Sequence, residues 1–110
     1  MNELAIKQCV APPKGSKPLT GKQLDDLAGQ LHRDWLPSVD KLCIERDFGF
    51  SNFHETMAFV NAVAWVAHQQ DHHPDLEVGY KHCRVRYSTH AVGGLSENDF
   101  ICAARIEALF

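Results

Sequence analysis

The sequence lacks the features that mark several classes of protein. No apolar run approaches the roughly 20 residues that a membrane span requires, and the N-terminus, MNELAIKQCVAPPKG, has no apolar stretch typical of a secretory signal. Basic charge is not in excess either, since 11 Lys and Arg against 14 Asp and Glu give a net charge of −3. Binding to nucleic acid would need a basic surface. We therefore expect a cytoplasmic protein that binds neither membranes nor, directly, nucleic acid.

Cysteine motifs are also absent. The four cysteines are widely and irregularly spaced, and no Cys-x-x-Cys pair occurs, which argues against a disulfide framework and a thiolate zinc site. We expect reduced thiols that pack as small apolar groups. Histidine, in contrast, is abundant, with seven in 110 residues. Because histidine changes charge near neutral pH, the positions of these side chains carry the most information about function.

A single α+β domain is predicted. The chain is long enough for one hydrophobic core, and the prolines and glycine of residues 11–18 (APPKGSKP) prevent regular structure there. We predict a flexible N-terminal arm over residues 1–18 and a folded domain over residues 19–110. Thr20 and Gln23 have the spacing of a capping box at the start of the first helix.

Alternating apolar residues predict strands over residues 42–50 and 76–89, with a short strand starting near Trp35. The alternation in the second stretch slips near Lys81 and His82, which predicts either a bulge or two short strands there. Between them a long helix runs to about Asp71, and Ser96 begins a final helix. The apolar face predicted for the long helix is wide. It consists of the stripe Phe53, Met57, Val60, Ala64 and Ala67, flanked by Phe59, Val63 and Val66. This order favours hairpins, and hence a four-stranded antiparallel sheet with three α-helices packed on one face.

The histidines gather at the ends of these elements. His68, His72 and His73 lie near the end of the long helix, and His90 follows the last strand. If the helix crosses the sheet, these ends meet and place three imidazoles and the Asp99 carboxylate around one pocket. A helix C-terminus favours protonated imidazole and so raises its pKa.

Four motifs in this region resemble the pterin-4a-carbinolamine dehydratase (4a-hydroxytetrahydrobiopterin dehydratase) family. They are DHHP at 71–74, Tyr80, STH at 88–90 and GLSENDF at 94–100. The resemblance implies a homodimer or homotetramer and a hydro-lyase without metal or organic cofactor. Its pterin substrate, 4a-hydroxytetrahydropterin, is left when an aromatic amino acid hydroxylase has used its pterin, and loss of water gives quinonoid dihydropterin.

The resemblance also implies roles for individual residues. His72 and His90 would be the acid/base pair that assists loss of the 4a-hydroxyl, and His73 would bind and orient the pterin. The residues expected to line the pocket or to hold a histidine there are Asp71, Pro74, Ser88, Thr89 and Asp99. The chemistry suits histidine, because each well-placed acid or base contributes typically ~10²–10⁴-fold. Animal members carry a glutamate one turn before the His-His pair, where this chain has His68.

Alternatives stay open for several of these residues. Asp99, three residues after Ser96, is also what a capping box needs, with or without a role in the site. His68 and His72 are four residues apart, the spacing of two metal ligands on one helix. The glutamate that accompanies such a pair in zinc proteases is absent, and we predict no metal. A second function is a non-catalytic coactivator module, since some relatives dimerise with a homeodomain transcription factor by packing against a partner helix.

Overall fold

The element order predicted from periodicity is the order found in the computed structural model, which describes residues 3–110. Two 3₁₀ turns, Glu3–Ile6 and His90–Val92, accompany the main elements. The helices and strands are α1 (Gly21–Ala28), β1 (Leu36–Pro37), β2 (Ile44–Gly49), α2 (Phe53–Gln70), β3 (Asp75–Val78), β4 (His82–Tyr87) and α3 (Glu97–Glu107).

The four strands form one antiparallel sheet in the order β1-β2-β4-β3. The central pair, β2 and β4, is in register from Ile44 opposite Tyr87 to Gly49 opposite His82. Alternate residues of these strands are buried on the side that carries the helices, whereas exposed ion pairs such as Arg86–Glu45 occupy the other side. The predicted α+β sheet, with its three helices on one face, is confirmed.

The long helix α2 begins and ends where its sequence predicts. The Asn52 side chain accepts a hydrogen bond from the Glu55 amide at 2.8 Å and so caps the N-terminus. At the other end Asp71 takes a left-handed conformation (φ 49°, ψ 44°), and the His72 amide donates to the Ala67 carbonyl at 3.1 Å. The chain therefore turns sharply just before the His-His-Pro motif.

The buried face of α2 is shifted from the predicted stripe towards the residues that flank it. Phe53 is 49% exposed and Ala64 is exposed, whereas the buried residues are Thr56, Phe59, Val63, Val66, Ala67 and Gln70. Apolar residues surround most of this helix, so its periodicity fits more than one face. Tertiary contacts determine which face is buried. The Thr56 hydroxyl donates to the Tyr80 carbonyl at 3.0 Å, and the ring centroids of Phe59 and Phe48 lie 4.6 Å apart.

The two predicted capping boxes have different outcomes. Ser96 and Asp99 form the box of α3, in which the Asp99 carboxylate accepts from the Ser96 amide at 2.9 Å. Thr20 takes the N-cap position of α1, but its side chain makes no capping hydrogen bond, so that box is wrong. A capping box needs helical backbone geometry at the first position of the helix. Gly21 occupies that position in α1, and its φ of 55° is not helical.

The N-terminal segment is more firmly packed than the sequence predicts. Leu4 is 1% exposed and belongs to the core, and Arg105 of α3 donates to the Lys7 carbonyl at 3.0 Å. Over residues 3–10 this packing differs from the predicted flexible arm, whose first two residues lie outside the described part of the chain. Because prolines follow in residues 11–18, the sequence pattern offered no reason to expect that Leu4 belongs to the core. Within residues 3–110, no helix is both long and apolar enough to cross a membrane.

Candidate active site

A cavity of about 470 Å³ opens where the end of α2 meets the end of β4. The helix α2 stops at Asp71, which has a left-handed conformation, and β4 is followed by a short 3₁₀ turn. Polar residues stand at both ends. The predicted site residues that line this cavity are Asp71, His72, His73, Ser88, Thr89 and His90. The structure thus brings together the three histidines that the sequence singled out. Pro74, also predicted for the site, is not among the residues that line this cavity.

His72 is held in a fixed orientation. Its Nε2 atom lies 2.6 Å from Oδ1 of Asp99, and its ring stacks on Tyr87 with centroids 5.4 Å apart and planes 11° from parallel. The side chain is only 12% exposed. The other ring nitrogen, Nδ1, has no hydrogen-bond partner among residues 3–110. One nitrogen is therefore held by a carboxylate while the other is available to a ligand.

Asp99 is completely buried and has three hydrogen-bond partners. Besides Nε2 of His72, the carboxylate accepts from the Ser96 amide at 2.9 Å and from the Thr89 hydroxyl at 2.8 Å. The Thr89 hydroxyl oxygen also lies 2.6 Å from that of Ser96, and since Thr89 gives its one proton to Asp99, Ser96 donates this bond. The carboxylate both caps α3 and orients His72, so the two roles left open for Asp99 coexist in one geometry.

This arrangement shifts the pKa of His72 upward. Burial by itself lowers the pKa, but the hydrogen bond to Asp99 and the negative charge of that carboxylate outweigh it. The protonated imidazole is consequently favoured relative to a free histidine. The sequence predicted this direction from the helix C-terminus, whereas the structure adds a buried carboxylate as the direct partner.

His73 and His90 differ from His72 in being exposed to the cavity. His73 follows His72 directly, and His90 begins the 3₁₀ turn after β4, where Thr89 fixes the backbone by pairing with Gly94. A planar ligand in the cavity can therefore meet one buried, oriented imidazole and two accessible ones. Such a set can donate a proton, accept a proton and supply a hydrogen bond.

Sequence comparison identifies the family to which this geometry belongs. The sequence model of the family described as Pterin 4 alpha carbinolamine dehydratase matches residues 17–109. The chain belongs to this family. A Nitrosomonas eutropha protein, provisionally named pterin-4-alpha-carbinolamine dehydratase, is 52% identical over 107 residues, covering 97% of this chain and 93% of the relative. A Legionella pneumophila protein with the same provisional name is 49% identical over 98% of this chain and 96% of its own.

Solved structures of pterin dehydratases have the same fold. A structure described as transcriptional coactivator/pterin dehydratase from Brucella melitensis matches 84% of this chain and 98% of its own, with a TM-score of 0.79 and 27% identity. A pterin dehydratase-like protein, described as a RuBisCO assembly factor in the alpha-carboxysome, matches 71% of this chain and 90% of its own with a TM-score of 0.61. At 23% identity that second likeness concerns the fold alone.

His68, where the chain departs from animal pterin carbinolamine dehydratases, lies outside the cavity. Its ring packs against Trp65 with centroids 5.8 Å apart on the exposed side of α2. His72, its neighbour one turn on, points to Asp99 instead. No group of three or more potential metal ligands occurs in the described residues 3–110.

Sequence reasoning missed seven residues that line this cavity: Cys9, Val10, Ala11, Pro12, Gln70, Ala91 and Asn98. Cys9 and Val10 line the cavity, and the side chains of Gln70 and Asn98 hold them there. The Cys9 thiol also lies 3.5 Å from that of Cys102. The one available signal was a pair of amides, Gln70 directly before DHHP and Asn98 inside GLSENDF, directly before Asp99. A local sequence pattern gives no means of linking them to residues far away in the chain.

Proposed function

We propose that this protein catalyses the dehydration of 4a-hydroxytetrahydropterin to quinonoid dihydropterin by general acid–base catalysis. The observation that carries the proposal is His72, held by a buried Asp99 at 2.6 Å, in one cavity with His73 and His90. Membership of the dehydratase family supports it, since the relatives named for this activity match nearly the whole chain. The reaction class is that of a hydro-lyase.

The reaction requires two proton movements. The bond between C4a and the hydroxyl oxygen breaks as that oxygen receives a proton and leaves as water. The lone pair of the adjacent ring nitrogen forms the new double bond to C4a, and the proton on that nitrogen is removed. Atoms and electrons balance without an oxidant or reductant, and no covalent intermediate with the protein is needed.

The three histidines divide these tasks in the proposed mechanism. His72, whose pKa Asp99 raises, gives its proton from Nδ1 to the leaving hydroxyl. His90, which is exposed to the cavity, takes the ring-nitrogen proton and can pass it to solvent. His73 donates a hydrogen bond that orients the pterin, with Asp71 and Ser88 beside it in the lining. Each acid or base of this kind contributes typically ~10²–10⁴-fold.

The proposal includes a cellular setting. The substrate is the product of an aromatic amino acid hydroxylase, so the protein would recycle that enzyme's pterin in the cytoplasm. A homodimer or homotetramer fits the large apolar side chains exposed on α2, among them Trp65 at 60% exposure. Sedimentation equilibrium of the purified protein measures that assembly directly, and a monomer at micromolar concentration would contradict it.

The decisive experiment is the rate at which the purified protein dehydrates 4a-hydroxytetrahydropterin. We expect rapid loss of the carbinolamine absorbance with wild type and a rate lower by about 10²-fold or more with His72→Ala. His54→Ala, which removes an exposed histidine at the start of α2, is the matched control and should match wild type. A folded wild-type protein that leaves the uncatalysed rate unchanged would overturn the proposal.

A second candidate function is a coactivator module that binds a helical partner. The observation in its favour is the exposed surface of α2, where Phe53 stacks on Tyr80 at 6.0 Å although both rings face solvent. The Brucella melitensis relative is described as both coactivator and dehydratase. Mixed oligomers with an amphipathic helical peptide would support this function, and Phe53→Ser should abolish them while leaving dehydration intact.

A further inference from the structure

One wall of the cavity is supplied by a segment that precedes the matched part of the family. Residues 8–12, which we call the strap, bring Cys9, Val10, Ala11 and Pro12 to the cavity lining. The family match begins at residue 17. The strap has no helix or strand of its own, so its backbone polar groups need partners elsewhere.

Asn98 supplies two of these partners. Its Oδ1 atom accepts from the Val10 amide at 3.1 Å, and its Nδ2 atom donates to the Val10 carbonyl at 2.8 Å. A single side chain thus pairs with both backbone groups of one residue, much as a neighbouring strand would. Asn98 is 8% exposed, so these bonds are largely shielded from water.

Gln70 holds the strap at the preceding residues. Its Oε1 atom accepts from the Cys9 amide at 2.8 Å, and its Nε2 atom donates to the Gln8 side chain at 3.1 Å. Gln70 is also 8% exposed. The two amides that hold the strap stand directly beside catalytic-site residues, because Gln70 precedes Asp71 and Asn98 precedes Asp99.

Within the strap, Cys9 packs against the core, whereas the two residues after it stay exposed. Val10 is 73% exposed although Asn98 fixes its backbone on both sides, and Ala11 is exposed as well. Ordering this backbone costs conformational entropy, and the exposed Val10 side chain does little to offset it through burial within the chain. An exposed apolar side chain beside a cavity would be covered when a flat ring system places one of its faces against it.

We propose that the strap is the wall that receives the pterin ring and determines how tightly it binds, with Asn98 and Gln70 as positioning residues. This inference rests on the proposed function and deepens it. Within the same cavity, His72, His73 and His90 supply the proton chemistry, while Val10 and its neighbours exclude water and fix the ring. Loss of the strap geometry then weakens binding of pterin far more than it slows the chemical step.

The test compares binding and turnover in strap variants. Asn98→Ala removes the positioning amide, and Val10→Asn changes only an exposed side chain, so it leaves folding intact. Lys14→Ala, at an exposed residue beyond the strap, is the control. Binding of 7,8-dihydrobiopterin, a stable pterin without the 4a-hydroxyl, is measured by titration calorimetry, and kcat and KM are measured for the carbinolamine.

We expect Asn98→Ala to raise both Kd and KM about 10-fold with kcat within about 2-fold of wild type, a pattern typical of lost uniform binding. Val10→Asn should raise both by about 3-fold or more, and Lys14→Ala should change neither. Wild-type turnover with unchanged Kd and KM in both strap variants would overturn this inference and leave the proposed function standing. A wild-type protein that neither binds the dihydropterin nor turns over the carbinolamine would overturn both.

Discussion

Nε2 of His72 lies 2.6 Å from Oδ1 of Asp99, although 27 residues separate them in the chain. The carboxylate is itself fixed by the Ser96 amide and the Thr89 hydroxyl, so the imidazole is oriented by a group that cannot reorient. This pairing leaves Nδ1 of His72 for the ligand and favours the protonated ring. A base or acid oriented by a third group is a recurrent arrangement in catalytic sites.

Replacing Asp99 by asparagine should change the pH dependence of catalysis. The Asp99→Asn side chain keeps an oxygen for the Ser96 and Thr89 donors but removes the charge that raises the pKa of His72. We expect the basic limb of the kcat profile to move to lower pH, because His72 then loses its proton earlier. Stopped-flow rates between pH 5 and 9, about the range of histidine titration, measure this shift. An unmoved basic limb would show that His72 is not the acid.

The same pair makes stability depend on pH. The pKa of His72 is raised in the folded state above its ordinary value of 6.5. Its contribution to the free energy of unfolding is therefore complete below that unfolded value and is lost as the pH rises through the raised folded value. Urea unfolding at a series of pH values should show stability falling above pH 6.5 in wild type. The fall should be smaller in His72→Gln, and equal falls in both proteins would contradict the coupling.

Removing the Thr89 hydroxyl should destabilise the fold. Thr89 is 4% exposed and donates to the buried Asp99 carboxylate, so Thr89→Val leaves that charge with one partner fewer. The expected loss is about 1–3 kcal/mol in the free energy of unfolding. Thermal or urea unfolding measures it, with Ser88→Ala as the neighbouring control at an exposed position. A Thr89→Val protein as stable as the control would mean that the hydroxyl contributes little.

The two exposed histidines should separate kinetically. Because His90 is the proposed base, His90→Ala should lower kcat by about 10²-fold or more, and its exposure means that folding is retained. Because His73 orients the pterin, His73→Ala should chiefly raise KM. Steady-state dehydration rates with circular dichroism as the folding control test both expectations. A larger fall in kcat for His73→Ala than for His90→Ala would reverse the assignment.

Bound pterin should protect one cysteine from alkylation. Cys9 lines the cavity, and its contact with Cys102 lowers the pKa of the Cys9 thiol, with the nearby His72 acting in the same direction against the effect of burial. Iodoacetamide should therefore modify Cys9 faster than the fully buried Cys83. Peptide mass spectrometry should show slower labelling of Cys9 with 7,8-dihydrobiopterin present and unchanged labelling of Cys43, which lies outside the cavity. Equal protection of both thiols would argue against pterin in this cavity.

The sequence was sufficient to predict the helices and strands and most of the candidate site residues. Alternation in β2 and β4 and the caps at Asn52 and Ser96 are short-range features, so the sequence determined the order of helices and strands. The ends of these elements suggested that His72, His90 and Asp99 could meet, and the resemblance to the dehydratase family assigned them to one site. The predictions of helices and strands depend on neighbours within a few residues.

Tertiary structure decided what local pattern leaves undetermined. The apolar residues around α2 permit several buried faces, and only contacts such as Thr56 with Tyr80 select one. The strap is held by Gln70 and Asn98 through hydrogen bonds that span 61 and 88 residues. The periodicity of the sequence does not indicate such bonds, because each joins a single backbone amide to a side chain that only the fold brings within reach. The family's histidines were therefore predictable from sequence, whereas the strap that lines the same cavity became evident only once the chain was folded.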